Sequence, residues 1–279
     1  MTAPQIRAAR TPPGRAASAS PPLAVRARDV LASEWTKTRS VRSNYWTLLI
    51  AAAVTIGATA LVAHTFASSP ATPPGGPISP LSESFLGYAE YTVIPVSILC
   101  VLAFTSEYAS GLIATTFTAV PRRWAVLAAK AAVAGTAALV VGELLALATF
   151  LLTQAILSGH HGGLSLSRPG VAGAVLAAGF VLSACALTGL ALGAIIRHTA
   201  GAIAATVGVI YLLAALCLFL PSPWKERIGR FTLPFAASQV VALHPQAVLF
   251  SPAWSLLVLI GWPAIALLVA AAVITRRPA

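Results

Sequence analysis

Six apolar blocks, each about as long as a bilayer is thick, limit what this chain can fold into more than any other feature. They cover residues 45–65, 85–105, 131–157, 171–196, 199–220 and 254–274, and hold between them two acidic residues, Glu90 and Glu143. A helix rising ~1.5 Å per residue needs about twenty apolar residues to cross a hydrocarbon layer ~30 Å thick. Lipid offers no partner to exposed backbone N–H and C=O groups, so each block is expected to be helical. The short alternating strands of a membrane barrel are absent from the pattern. Composition points the same way: 58% of the 279 residues are hydrophobic and 9% charged, where a soluble domain carries about a quarter charged. The expected fold is an all-α integral membrane protein with six transmembrane helices over residues 29–279.

The formal charge of +11 is a topology signal. Cytoplasmic connections carry the excess of Lys and Arg. With the amino terminus inside, 14 of the 18 basic residues fall on the cytoplasmic side, leaving Arg168, Lys225, Arg227 and Arg230 outside. Both termini are therefore expected in the cytoplasm of a multi-pass plasma-membrane protein. The positive charge needs no nucleic-acid partner. Residues 1–28, rich in Pro, Ala, Ser and Arg, lack the apolar core of a signal peptide and read as a disordered cytoplasmic tail. Cys100, Cys185 and Cys217 each sit inside an apolar block at spacings that suit neither disulfides nor a metal, so they read as small buried hydrophobes.

Two segments outside the blocks have helical periodicity. Val30, Leu31, Trp35, Val41 and Tyr45 fall on one arc at 100° per residue, with Arg28, Lys37 and Arg39 off it. That is the pattern of an amphipathic helix lying in the membrane interface, or else of the exposed cytoplasmic start of the first span. Between spans two and three, Leu112, Ile113, Phe117 and Val120 share an arc that Pro121 ends, and Arg122 and Arg123 follow. Such a short cytoplasmic helix either docks a protein through its apolar side or rests on headgroups. The stretch 66–84, dense in Pro and Gly, is expected to be a loop. The segment 221–253, with Trp224, Phe231, Phe235 and Val240-Val241-Ala242-Leu243, either re-enters the outer leaflet or packs on the helix ends.

Ser33-Glu34-Trp35-Thr36-Lys37 before the first span, Thr105-Ser106-Glu107-Tyr108 with Gly111, and Ala119-Val120-Pro121-Arg122-Arg123 followed by Lys130 resemble the actinobacterial type 2 ABC exporter permeases. The likeness in topology spans residues 30–279. It implies the membrane half of an ATP-driven exporter of hydrophobic or amphipathic substrates. In that family two permease subunits, identical or diverged, sit on two ATPase subunits made as separate chains. The resemblance further implies that Glu34, Trp35, Glu107, Tyr108, Gly111, Phe117, Pro121, Arg122 and Arg123 belong to the ATPase-coupling region, with the short helix as a coupling helix. Two stretches depart from the family pattern: Leu112-Ile113-Ala114 follow Gly111 where a basic residue is usual, and Phe231-Thr232-Leu233-Pro234-Phe235 replaces a small polar run.

No G-x-x-x-x-G-K-[ST] phosphate loop occurs, so ATP is expected to be bound by a partner and no cofactor by this chain. Glu143 lies ~18 Å along its helix from Ala131, near mid-membrane, where an ionised carboxylate must pair, face the bundle interior or hold a proton. It is expected to line the substrate path or pair across a subunit interface, or else to be a protonated structural residue. Glu90, nearer the outer end of its span, either guards an exit or reaches the headgroups. His160-His161 has no further ligands near it. An alternative to the ATP-driven exporter is a proton-driven carrier with Glu143 as its proton site, although residues 45–157 and 171–274 show no repeat of the kind such carriers carry. An intramembrane enzyme is disfavoured, because Glu143 has no His or Asp companion at matching depth and Ser183 no base.

Overall fold

A computed structural model describes residues 27–68, 85, 88, 91–120, 122–158, 164–242 and 251–276. Every regular element among them is helical. Helix α1 (Ala27–Ser40) leads into α2 (Arg42–Ser68), then α3 (Val93–Ala109), α4 (Leu112–Ala119) and the long α5 (Arg123–Leu157). Helix α6 (Val171–Ile196) follows, then α7 (Thr199–Val207), a π-helical turn (Gly208–Leu212) and α8 (Leu213–Leu218). Two short helices, α9 (Trp224–Gly229) and α10 (Leu233–Val241), precede α11 (Pro252–Arg276).

Five of these runs are long and apolar enough to cross a membrane: α2, α5, α6, the continuous stretch Thr199–Leu218, and α11. A sixth is reached only by joining α3 to α4, which meet at an 85° bend. The chain is thus a multi-pass, all-α membrane protein. The 17 residues of α3 rise ~26 Å, a little short of the hydrocarbon thickness. Phe85, Tyr88 and Tyr91 before it are helical as well, whereas Glu90 lies outside the described residues.

The bend has a local cause. At the end of α3 the N–H of Ser110 donates to Ser106 O (3.0 Å) and that of Gly111 to Tyr108 O (3.3 Å). Gly111 then turns the chain at φ 73°, in the left-handed region that glycine enters without steric penalty. The junction of α1 and α2 corrects the single arc expected from Val30 to Tyr45. Val41 is not helical, and the Tyr45 hydroxyl donates to Arg39 O across the break (3.0 Å). Within α1 the buried pair is Val30 and Glu34, while Leu31 and Trp35 face outward.

Helix α6 is the central post, with α3, α5, α7, α10 and α11 packed on it. Its small residues allow this. A Cβ added at Gly189 would stand 2.8 Å from Ser97 O, and one at Gly193 3.0 Å from Val101 O. The two glycines, four apart, thus let the backbone of α3 approach α6 at two successive turns. On the other side Gly142 of α5 meets the backbone of Gly179, and the Ser183 hydroxyl donates to Gly135 O (3.0 Å). The Tyr88 hydroxyl donates to Ala178 O (2.9 Å), and the Thr55 and Thr92 hydroxyls bond each other at 2.7 Å. Each such polar group is satisfied by a neighbouring helix, as an apolar surrounding demands.

Helix α10 buries Leu233, Ala236 and Gln239 against α6 and α11, so this part of the 221–253 segment packs on the helices. Outward-facing Leu49, Ile50, Leu61, Leu144, Leu176 and Leu268 leave an apolar belt of the kind lipid covers.

Candidate functional site

At one end of the bundle four charged side chains from three helices close on each other. Glu34 comes from the inward face of α1, four residues after Val30. Glu107 stands in the last turn of α3, and Lys130 in the third turn of α5. Lys130 Nζ donates to Glu34 Oε2 at 2.6 Å and to Glu107 Oε1 at 3.0 Å. Lys37 Nζ donates to Glu34 Oε1 at 2.6 Å and to Glu107 Oε1 at 3.0 Å. Two cations thus share two carboxylates. Glu34, Glu107 and Lys130 are 2%, 7% and 5% exposed, so three of the four charges are withdrawn from solvent.

Desolvating such ions costs several kcal/mol each, and only close mutual pairing offsets it. The arrangement therefore locks α1, the end of α3 and the start of α5 in one register, because the loss of any one partner leaves a buried charge unbalanced. Burial works to lower the Lys37 pKa, but the hydrogen bonds and charges of Glu34 and Glu107 outweigh it and raise it above the usual lysine value. Glu107 Oε2 is buried without a hydrogen-bond partner among the described residues. Aromatic rings wall the cluster. Lys130 Nζ lies 5.8 Å from the centre of the Phe104 ring, Phe104 stacks on Tyr108 at 5.7 Å, and the Arg197 guanidinium covers Tyr108 at 5.1 Å.

The bent helix α4 hangs beside this lock. Ile113 and Phe117, a turn apart, are buried in the chain's own core, while Leu112 is exposed. The apolar arc expected to face a partner or headgroups is thus mostly turned inward, which corrects that expectation. Arg123 reaches over the Phe117 ring at 5.2 Å and donates from Nη1 to Ile274 O at 3.4 Å, joining α4, α5 and the end of α11.

Of the residues singled out in the sequence, Glu34, Glu107, Tyr108, Phe117 and Arg123 come together here. Trp35, Gly111 and Arg122 lie on the exposed surface of the same end, and Pro121 is outside the described residues. Lys37, Lys130 and Arg197 complete the assembly and were not among the predicted site residues. A signal for them existed: the basic connections contain very few acids, so Glu34 and Glu107 had to be claimed by some of the cations around them.

Glu143 is well separated from this assembly. It leans over Gly179 of α6, where a Cβ would run into its carboxyl group, and makes no hydrogen bond or ion pair among the described residues. Among those residues no group of three or more His, Cys, Asp or Glu could hold a metal ion, and the three cysteines are free and buried. No family model, no curated protein and no solved structure matches the chain.

Proposed function

We propose that this chain is the membrane subunit of an ATP-driven exporter, working with ATPase subunits made as separate chains and with a second permease subunit. The observation that carries the reading is the buried lock of Glu34, Lys37, Glu107 and Lys130. A subunit driven from outside must carry a displacement from its cytoplasmic face into its spans. Three helices clamped by buried charge form such a lever, and α4, bent 85° from α3 and tied to α5 and α11 by Arg123, is placed to move with it.

In this reading the end of the bundle that carries the lock is cytoplasmic, with both termini there. Trp35, Leu112 and Arg122 form the outward contact, and the buried charges pass the motion on. One ATPase-driven state would hold an amphipathic substrate better than the other, as a pump requires. Co-expression of the chain with a Walker-motif ATPase from a neighbouring reading frame tests the proposal. The expected result is one complex in which ATP hydrolysis exceeds that of the ATPase alone. Separate elution with no stimulation would remove the reading.

That Glu143 makes no hydrogen bond or ion pair among the described residues favours a second reading, a proton-driven carrier with Glu143 as the proton site. Uptake by the isolated chain in liposomes, driven by a pH gradient without ATP and abolished by Glu143→Gln, would establish it.

A further inference from the structure

Among the described residues Glu143 is the one acid in the interior of a span, ~20 Å along α5 from Lys130. The acids of the lock are buried, whereas Glu143 is only half-buried. We propose that it anchors a binding site for lipophilic cations, organic molecules that carry a positive charge on an apolar body. The proposal names a substrate class for the exporter described above and rests on that reading for its transport role.

The carboxyl group has a fixed seat. A Cβ on Gly179 would run into Glu143 Cδ and Oε1, so the carboxyl lies directly on the bare backbone of α6. A Cβ on Gly142 would in turn stand 3.0 Å from the Gly179 Cα and carbonyl oxygen, so the two helices cross closely at this point. The acceptor is thus held in a notch between α5 and α6.

The donors around the notch are engaged elsewhere. The Tyr88 hydroxyl, which also borders Gly142, donates to Ala178 O at 2.9 Å. Ser183, one turn beyond Gly179, donates to Gly135 O at 3.0 Å. Glu143 itself makes no hydrogen bond or ion pair among the described residues. The membrane-spanning helices of a second copy would bring no cation to this depth. Their described Lys and Arg residues are Arg42, Arg123, Lys130 and Arg276, all toward the end of the bundle that carries the lock.

A carboxylate in an apolar surround calls for a partner that brings positive charge and apolar surface together. Val140 and Leu147, a turn before and a turn after Glu143 on α5, are exposed, and so is Leu176, a turn before Gly179 on α6. They give an apolar body something to lie against. A metal ion would have to shed its water with no further His, Cys, Asp or Glu ligands gathered to replace it among the described residues. A cation whose charge is shielded by apolar groups sheds little, and gains both the carboxylate and the apolar contacts.

The test is equilibrium binding of tetraphenylphosphonium to the purified full chain in uncharged detergent. Tetraphenylborate, an anion of the same shape, is the comparison. Wild type is expected to bind the cation saturably and the anion not. Glu143→Gln should weaken cation binding at least about tenfold, the scale of one close charge pair away from water. Glu143→Asp keeps the charge and should stay nearer wild type. If the Gln variant does not fold, competition on wild type carries the test: tetraphenylarsonium should displace the bound probe, and neutral triphenylphosphine oxide should not.

Equal uptake of cation and anion, no saturable uptake, displacement by the neutral compound, or a Gln variant that folds and binds like wild type would overturn the proposal. So would a wild-type dimer that takes up no cation and dissociates on Glu143→Gln, because the face would then belong to a second copy. The assay contains neither ATP nor an ATPase. A negative result therefore leaves the exporter reading standing, and absent ATPase stimulation leaves cation binding to be judged by itself.

Discussion

Lys130 Nζ lies 2.6 Å from Glu34 Oε2, a contact between residues 96 positions apart in the chain. Through it a helix at one end of the bundle is fixed to the longest span. Lys130→Met should therefore leave two buried carboxylates to the half-exposed Lys37 alone and destabilise the fold by about 3–5 kcal/mol, the range seen when one partner of a buried pair is removed. Glu34→Gln with Lys130→Met should cost distinctly less than the sum of the single changes. Melting of the four proteins of this cycle in detergent checks both statements, and strict additivity would refute the shared lock.

The parts of this structure that were legible from sequence are those lipid dictates. The expected 171–196 coincides with Val171–Ile196, and 199–220 and 254–274 differ from Thr199–Leu218 and Pro252–Arg276 by a few residues at the ends. An apolar block of span length has one way to satisfy its backbone, so its limits can be read from composition alone. Pairings across the chain obey no such rule. Glu34 and Glu107 stood out as motif residues, but nothing periodic connects residues 34, 37, 107 and 130, and their mutual burial depends on how three helices meet. The break at Val41 and the inward turn of Ile113 and Phe117 were hidden for the same reason. An apolar arc shows that a face is buried, and leaves open what buries it.

Gly189 and Gly193 predict a sharp contrast along a single helix. A Cβ at Gly189 would meet the carbonyl oxygen of Ser97 at 2.8 Å, and this backbone atom cannot swing aside. Gly189→Ala should cost about 1–3 kcal/mol, as overpacking does. Gly173, on the same helix, has open space where its Cβ would go. Gly173→Ala should be neutral or stabilise by up to about 1 kcal/mol through helix propensity. Melting temperatures of the two variants decide the matter, and equal shifts would contradict the close approach of α3 and α6.

Gly111 predicts a backbone effect without a packing effect. Its φ of 73° disfavours any residue with a Cβ, yet nothing lies within 4 Å of where that atom would be. Gly111→Ala should cost about 1 kcal/mol, and Gly111→Asn less, since asparagine tolerates the left-handed region. If the turn sets the direction of α4, Gly111→Val should also change proteolytic access to the α3–α4 joint. Limited proteolysis of the three variants gives the ranking, and equal behaviour of Ala and Asn would speak against a left-handed joint.

Lys37 predicts where alkaline pH weakens the lock. Its pKa is raised above 10.5 in the folded chain, because Glu34 and Glu107 favour the charged form by more than burial disfavours it. A group with a raised folded pKa binds its proton more tightly in the native state, so its contribution is complete below the unfolded value and is lost as pH rises through the folded one. Stability should thus be insensitive to Lys37 titration up to about pH 10 and fall above it. Lys37→Gln should lie below wild type at neutral pH and approach it as the pH climbs past 10.5. Because 43% of the Lys37 side chain is exposed, the neutral-pH difference should shrink in high salt, unlike that of the buried Lys130. Melting curves of both proteins from pH 7 to 11, at low and high salt, test this, and a gap that stays constant across that range would show that the Lys37 charge contributes nothing to the lock.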